Sequence, residues 1–293
     1  MFKHRLGEII VMTEEFFLER DGIKLHGIDH GGDKKPVLLL VHGAAAHAKW
    51  WDFVAPHYMD NFRPVAMDLR GHGDSDWAED YSYDDFAKDL EFWIDWAYKE
   101  TNKKPFLLAH SMGGGISLRL TASKSPNITS MIVVDSPFHI NERILKEMNA
   151  FGSRPSRPWA SLELFIEKFR MIPASGKAKK EHLEHIAKHS VRQLKDGTWL
   201  LKADRSFHSK RGGSDLVKGW LNLNVPGLLV IGELSDRITS EDIEWAKQNL
   251  KNVQIKIIKG AHHHVYIDDP DEFIKVTKEF LNSMLSSKEN VLS

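Results

Sequence analysis

Short, uninterrupted apolar runs separated by helical patterns constrain this fold more than any other feature of the sequence. Five such runs lie at residues 37–41, 65–67, 106–108, 131–134 and 228–231. A strand has this composition when both faces of its sheet are buried, which is typical of parallel sheets. Strands that alternate with helices predict an α/β protein, in which helices cover both faces of one mostly parallel sheet.

Two further regions extend the predicted sheet. Residues 253–258 alternate between apolar and polar side chains, which indicates a strand nearer an edge. Residues 16–19 and 25–28 flank Asp21-Gly22, a dipeptide typical of hairpin turns. We therefore expect a twisted sheet of about eight strands, flanked by helices, whose first edge is antiparallel.

The alternation stops between residues 137 and 225. This stretch has helical patterns at residues 142–151, 161–171 and 177–194 and no buried strand pattern. It predicts a helical cap (137–225) inserted after the sixth strand, between two parts of one core at 12–136 and 226–293. Residues 1–11 are expected to form an N-terminal extension outside the core, because Met12-Thr13 is similar to a natural start.

The composition excludes several classes of function. The 293-residue chain has no cysteine, which excludes disulfides, thiolate metal sites and a cysteine nucleophile. Its net charge of −1 provides no field that would attract nucleic acid. No apolar run is long enough for a membrane span, and the N-terminus lacks the pattern of a signal peptide. We expect a cytoplasmic protein that acts on a small molecule, and the oligomeric state stays open.

A serine stands where a predicted strand runs directly into a predicted helix, in the segment FLLAHSMGG at residues 106–114. Small residues, Ala109 and Gly113, lie two positions either side of Ser111. Such a sharp, strained turn tolerates only small flanking residues and exposes the hydroxyl at a helix N-terminus, which favours developing negative charge. A helix-capping serine in a small-residue turn is the simpler interpretation. The strand before it and the helix after it favour a nucleophile.

Five motifs, in order along residues 14–285, resemble those of the α/β-hydrolase family. They are the HGAAA segment at residues 42–46, DLRGHGDS at 68–75, the Ser111 corner, and the late segments GAHH at 260–263 and PDEF at 270–273. They resemble the family's oxyanion loop, its D-x-R-G-x-G-x-S turn, its nucleophile elbow, and its histidine loop and final helix. The elbow carries a serine, whereas epoxide hydrolases and haloalkane dehalogenases of this fold need an aspartate there.

Three consecutive histidines compete for the role of general base. The family pattern has a proline seven residues after the histidine, and Pro270 therefore selects His263 over His262 and His264. Because successive loop residues point in different directions, only one of the three can reach Ser111. We expect the other two to be exposed, and we expect no metal cluster, since contiguous histidines rarely converge on one ion.

The base needs a carboxylate that holds its tautomer. The resemblance implies that this acid follows the next-to-last strand, where Asp236 stands one residue later than is common and Thr239 follows at the usual interval. Asp236 is the predicted acid. Asp135, after the strand at 131–134, is the alternative, although a turn aspartate is its simpler interpretation. Glu233 is a weaker third option.

The remaining site residues are predicted from their positions. Two backbone N–H groups, of Ala44 and Met112, are the expected donors of the oxyanion hole. Four aromatic residues are candidates for an apolar substrate wall, although packing within the protein explains each of them equally well: Trp50, Phe138, Trp159 and Phe165.

The resemblance and the residues together predict two-step acyl transfer through Ser111 and His263, with no cofactor and no metal. The expected substrate is a small to medium carboxylic ester with an apolar part. Alternatives that use the same triad are a lactonase, a carbon–carbon bond hydrolase and a perhydrolase. A small-molecule receptor that turns over slowly is a further alternative, because fold does not fix chemistry.

Overall fold

The computed structural model of the protein describes residues 2–6, 9–140, 142–207 and 216–289. Its strands are β1 (Phe2–Leu6), β2 (Ile9–Arg20), β3 (Ile23–Asp29), β4 (Val37–Val41), β5 (Arg63–Met67), β6 (Phe106–His110), β7 (Met131–Val134), β8 (Val191–Gln193), β9 (Trp199–Leu201), β10 (Gly227–Gly232) and β11 (Val253–Ile258). Its α-helices are α1 (Tyr83–Thr101), α2 (Met112–Ser123), α3 (Glu142–Gly152), α4 (Leu162–Lys168), α5 (Lys180–His189), α6 (Leu216–Leu221), α7 (Ser240–Asn249), α8 (Val265–Asp268) and α9 (Pro270–Glu289).

One twisted sheet holds nine of the described strands, in the order β1-β2-β3-β5-β4-β6-β7-β10-β11. The strands from β5 to β11 in this order pair in parallel, and β1, β2 and β3 add an antiparallel edge. This confirms the predicted mostly parallel sheet flanked by helices, with eight strands from β2 onward. Strand β2 runs through the boundary expected at residue 12, and β1 pairs with its first half.

Alternate side chains of the central strands enter two separate cores. On β4, Leu39 packs with α1 and α2 on one face, whereas Leu38 and Leu40 pack with α9 on the other. A strand that is buried on both faces needs apolar residues at every position, because successive side chains point to opposite faces. The continuous apolar runs in the sequence have this origin.

The segment between β7 and β10 contains α3, α4, α5 and α6, together with a small antiparallel pair, β8 and β9. The helix predicted to reach residue 194 ends at His189, and Val191 begins β8. The hairpin forms because Asp196-Gly197 makes a tight turn, in which Gly197 has a φ of 85°. The division of the chain into a core and a cap at residues 137–225 stays a prediction.

The loop after β5, at residues 68–75, braces the segment that carries the proposed oxyanion donor. Asp68 accepts hydrogen bonds from the Ala48 N–H at 2.6 Å and from the Asp74 N–H at 2.9 Å. Arg70 makes a bidentate ion pair with Asp89 on α1, at 2.5 and 2.7 Å. These buried, charge-assisted contacts fix the loop against its neighbours.

No helix within the described residues is both long enough and apolar enough to cross a membrane.

Candidate active site

Ser111 occupies a strained corner between β6 and α2. Its φ is 51° and its ψ is −115°, a conformation that a residue with a side chain rarely adopts. The Ser111 N–H donates to the Val134 carbonyl at 2.9 Å, which ties the corner to β7. A Cβ atom at Gly113 would lie 2.7 Å from the His42 carbonyl oxygen, so the small residue predicted there is sterically required.

His263 and Asp135 complete a hydrogen-bonded chain with this serine. His263 Nε2 lies 2.9 Å from Ser111 Oγ, and His263 Nδ1 lies 2.7 Å from Asp135 Oδ2. Asp135 is fully buried and His263 is 5% exposed. With the carboxylate at Nδ1, the imidazole carries its proton there and presents the Nε2 lone pair to the serine hydroxyl, as a general base must.

Asp135 is itself held in place by the loop after β10. Its carboxylate accepts hydrogen bonds from the Gly232 N–H at 3.1 Å and from the Ser235 hydroxyl at 2.5 Å. Its φ is 47°, so the backbone turns sharply at the end of β7. Strand β7 lies between β6 and β10 in the sheet, and this turn places the carboxylate next to His263 in the histidine loop.

The prediction that Asp236 is the partner of His263 is wrong in this structure. Asp236 pairs with Arg143 on α3 at 2.5 Å, and half of its side chain is exposed. Glu233, the third option, accepts a hydrogen bond from the Gly260 N–H at 2.8 Å. The extra residue between Gly232 and Asp236 was the available signal. Asp236 lies four residues after the end of β10, whereas Asp135 directly follows the end of β7.

The two proposed oxyanion donors border the same cleft as the serine. Met112 is the first residue of α2, so its N–H has no carbonyl one turn earlier within the helix. Ala44 follows His42-Gly43, in a turn closed by the Ala46 N–H and the Gly43 carbonyl at 3.3 Å. Both residues line the cleft together with Ser111 and His263. Their role as oxyanion donors stays a proposal.

Hydrogen bonds of the His42 side chain hold this turn in place. Its Nδ1 lies 2.7 Å from the Gly43 carbonyl oxygen, and its Nε2 accepts the Leu69 N–H at 3.0 Å. Burial lowers the pKa of His42, which keeps the imidazole neutral, so that one nitrogen donates and the other accepts.

The expected exposure of both neighbouring histidines is wrong for His264. That side chain is 4% exposed; its Nε2 lies 3.1 Å from the Pro173 carbonyl oxygen, and its ring centroid lies 5.2 Å from that of Trp50. Burial holds the pKa of His264 well below its usual value. His262 is partly exposed, and its N–H donates to Asp268 at 2.7 Å.

His110, His263 and His264 could each offer a nitrogen to a common metal ion, since these atoms lie within 4.8 Å of one another. His263 uses both of its nitrogens, one for Ser111 and one for Asp135. A metal ion at this cluster would therefore replace a hydrogen bond of the Ser111–His263–Asp135 chain.

The cleft at Ser111 is open to solvent on one side, and its walls are mainly apolar. Most of this apolar lining comes from α3, the loop before it, the loop after α4 and the start of α6: Pro137, Ile140, Ile144, Met148, Phe151, Ile172, Pro173 and Leu216. A concave, mainly apolar surface with a few polar groups is typical of small-molecule sites.

The four aromatic residues predicted for the substrate wall do not border this cleft. Trp50 packs against His264, and Phe138 is buried against Trp220, with ring centroids 5.7 Å apart. Trp159 packs against Phe165 in a separate small cluster at 5.4 Å. Packing, the alternative interpretation, describes Trp50, Phe138 and Phe165, whereas Trp159 packs against Phe165 and also lines a second pocket.

One charged pair in the cleft was not predicted. Arg237 and Glu147 both line it, and their side chains form an ion pair at 2.6 Å. Glu147 lies one turn after Arg143 on α3, and these two residues pair with the adjacent Arg237 and Asp236. The four-residue spacing places Arg143 and Glu147 on one face of α3, from which both reach the loop after β10.

A family model described as the alpha/beta hydrolase family matches residues 38–276 of this chain. This match covers the serine corner, Asp135 and His263. The protein belongs to the α/β-hydrolase family. It is therefore related to hydrolases, and the resemblance inferred from its motifs is confirmed.

The α/β hydrolases to which this chain is similar differ widely in the bonds they cleave. Epoxide hydrolase 1 of Caenorhabditis elegans is 23% identical, over 91% of this chain and 70% of that protein. Monoacylglycerol lipase ABHD6 of Homo sapiens is 22% identical, over 87% and 78%. The crystal structure of E-2-(acetamidomethylene)succinate hydrolase superposes with a TM-score of 0.79 at 20% identity, covering 92% of this chain and all of that one.

Proposed function

We propose that this α/β hydrolase cleaves carboxylic esters through an acyl-enzyme on Ser111. The observation that carries the proposal is the continuous Asp135–His263–Ser111 chain, with contacts of 2.7 and 2.9 Å. A serine hydroxyl becomes a competent nucleophile only when a positioned base can take its proton. The serine at the elbow also argues against the epoxide chemistry named for one relative, which needs an aspartate at that position.

The reaction follows from what each group can donate or accept. Ser111 Oγ attacks the ester carbonyl carbon while His263 Nε2 takes the hydroxyl proton, and Asp135 stabilises the imidazolium that forms. The N–H groups of Ala44 and Met112 stabilise the oxyanion of the tetrahedral intermediate. His263 then protonates the departing alkoxide. It next activates a water molecule, which attacks the acyl-enzyme and releases the acid and free Ser111.

The walls of the cleft favour an ester with an apolar part of modest size. Ile144, Met148 and Phe151 on α3 and Ile172 opposite them offer hydrocarbon surface, and burying each methylene of a substrate there is worth about 0.8 kcal/mol. The name of the lipase relative is consistent with such a substrate. We expect kcat/KM to rise from acetate to a medium-length acyl chain and then to fall as the cleft fills.

Hydrolysis of 4-nitrophenyl esters from acetate to octanoate, by the wild-type protein and Ser111→Ala, tests this proposal. The variant should fold as the wild type does and lose on the order of 10³-fold or more in kcat. A fluorophosphonate should add its phosphonyl group to Ser111 of the wild type only, as a mass increase. Equal turnover by both proteins would refute the nucleophile. Labelling at Ser111 without turnover of any ester would refute the ester substrate and favour a lactone, a carbon–carbon bond or a slow receptor.

A further inference from the structure

A second pocket, the arginine pocket, opens beside the catalytic cleft. Its lining consists of Arg154, Arg157 and Arg205 with Pro155, Pro158 and Trp159. The first two arginines lie in the connector between α3 and α4, and Arg205 follows β9. Three positively charged side chains from two separate segments therefore face one concave surface.

Phe151 separates this pocket from the catalytic cleft. Its ring lines the cleft that contains Ser111. The guanidinium of Arg205 lies 4.5 Å from the centroid of the same ring. Arg205, which lines one space, therefore contacts Phe151, which lines the other, and an elongated ligand that passes over the Phe151 ring could reach both.

The three arginines of the pocket form no ion pair with a carboxylate in the described part of the chain. Six other arginines each pair with an aspartate or glutamate within 3.2 Å: Arg20, Arg63, Arg70, Arg119, Arg143 and Arg237. The neighbouring carboxylate, Asp204, instead accepts hydrogen bonds from the Tyr81 hydroxyl at 2.8 Å and the Ser206 N–H at 3.0 Å. The pocket thus concentrates positive charge that the described residues do not neutralise.

Arg205 is the most enclosed of the three. Its Nε is buried and has no hydrogen-bond partner among the described residues. Burial and the nearby charge of Arg154 lower its pKa. A buried donor without a partner and a cation beside like charge are both unfavourable, and an anion in the pocket would relieve both.

We propose that the arginine pocket binds a phosphate group at the far end of the ester that Ser111 cleaves. This substrate assignment rests on the proposed function. Guanidinium groups bind phosphate through paired, charge-assisted hydrogen bonds, and the two negative charges of a phosphate monoester suit three cations better than one carboxylate does. The substrate is then an acyl ester whose alcohol part crosses Phe151 and ends in a phosphate.

Two butanoate esters test the substrate assignment: one with a six-carbon alcohol part that ends in phosphate, and one that ends in hydroxyl. The wild type should prefer the phosphate ester about tenfold in kcat/KM, mainly through KM, because the phosphate would accept charge-assisted hydrogen bonds that a hydroxyl end cannot form. Arg205→Met should remove this preference. Arg192→Met, a matched change on β8 outside the pocket, should keep it. Equal kcat/KM for the two esters in the wild type would overturn the assignment.

Binding of hexyl phosphate to Ser111→Ala, measured by calorimetry, tests the pocket independently of catalysis. Binding that weakens about tenfold when Arg205→Met is added, with hexanol inert, would support the pocket even if no ester were hydrolysed. Binding unaffected by Arg205→Met would overturn the pocket and leave the ester proposal standing. If inorganic phosphate bound as tightly as hexyl phosphate, the pocket would be a site for the free anion, and the substrate assignment would fail. Circular dichroism of each variant checks its fold.

Discussion

At the scale of single residues, the site depends on two backbone turns that point side chains away from the sheet. Ser111 and Asp135, at the ends of neighbouring strands, have φ values of 51° and 47°. Such conformations cost on the order of 1–3 kcal/mol each and persist only where the surroundings impose them. The residue types around Ser111 made the first turn predictable, because only small residues fit there. The second turn was not predictable, since Asp135-Ser136-Pro137 also has the composition of an ordinary loop.

The close approach of α2 to the oxyanion loop gives a stability prediction with an internal control. A Cβ atom at Gly113 would lie 2.7 Å from a backbone oxygen, whereas a Cβ atom at Gly115 would lie 3.6 Å from its nearest neighbours, on Leu216 and Tyr83. Gly113→Ala should therefore destabilise the protein by about 1–3 kcal/mol. Gly115→Ala should be neutral or stabilise it by roughly 0.5–1 kcal/mol, since alanine favours a helix. Urea unfolding of both variants measures the difference; equal free energies of unfolding would contradict the steric argument.

At the scale of helices and strands, the strands that are buried on both faces were predicted best. β4, β6, β7 and β10 have continuous apolar sequences because each faces two cores. The insert between β7 and β10 is amphipathic and partly exposed, so its sequence resembles helix throughout, and the short pair β8 and β9 was missed. The pairing of α3 with the loop after β10 depends on contacts distant in sequence, which a local pattern does not contain.

A buried charge network joins three elements and gives the fold a pH dependence. His26 on β3 lies 2.7 Å from Asp68 after β5 and 3.7 Å from Glu15 on β2. Burial opposes the charged imidazole, but the hydrogen bond to Asp68 and the nearby carboxylate of Glu15 outweigh it and raise the pKa of His26 to about 9. Because this pKa exceeds that of the unfolded chain, the stabilisation is complete below pH 6.5 and is lost as the pH rises through about 9.

Urea unfolding at pH 6 and pH 9.5 measures this contribution. The wild type should lose on the order of 3 kcal/mol more than His26→Gln between the two pH values, because His26→Gln has no imidazole to titrate. His57→Gln, at an exposed histidine whose pKa is lowered and not raised, is the control and should retain the loss of stability at high pH. A wild-type profile as flat as that of His26→Gln would show that His26 is not charged in the folded protein.

At the scale of the whole molecule, the sheet brings together residues far apart in sequence, and this assembly sets the limit of prediction. Ser111 and His263 were predicted from motifs with fixed spacing, and the structure brings the two side chains together. The acid could not be predicted from the sequence, because the choice between Asp135 and Asp236 depends on which strand ends beside the histidine loop. The residues of the substrate wall could not be predicted either. The local sequence does not distinguish an aromatic residue that packs within the protein from one that lines a cleft.

The identity of the acid is the most direct test of the Asp135–His263–Ser111 chain, and Asp135 and Asp236 provide a matched pair of variants. Wild type, Asp135→Asn and Asp236→Asn are compared by kcat/KM on the best 4-nitrophenyl ester. We expect Asp135→Asn to lose on the order of 10³- to 10⁴-fold, because His263 would no longer be held in the required tautomer. Asp236→Asn should lose less than about threefold, because its exposed ion pair lies outside the chain of proton transfer. A larger loss for Asp236→Asn than for Asp135→Asn would contradict the role of Asp135 and assign the acid to the loop after β10.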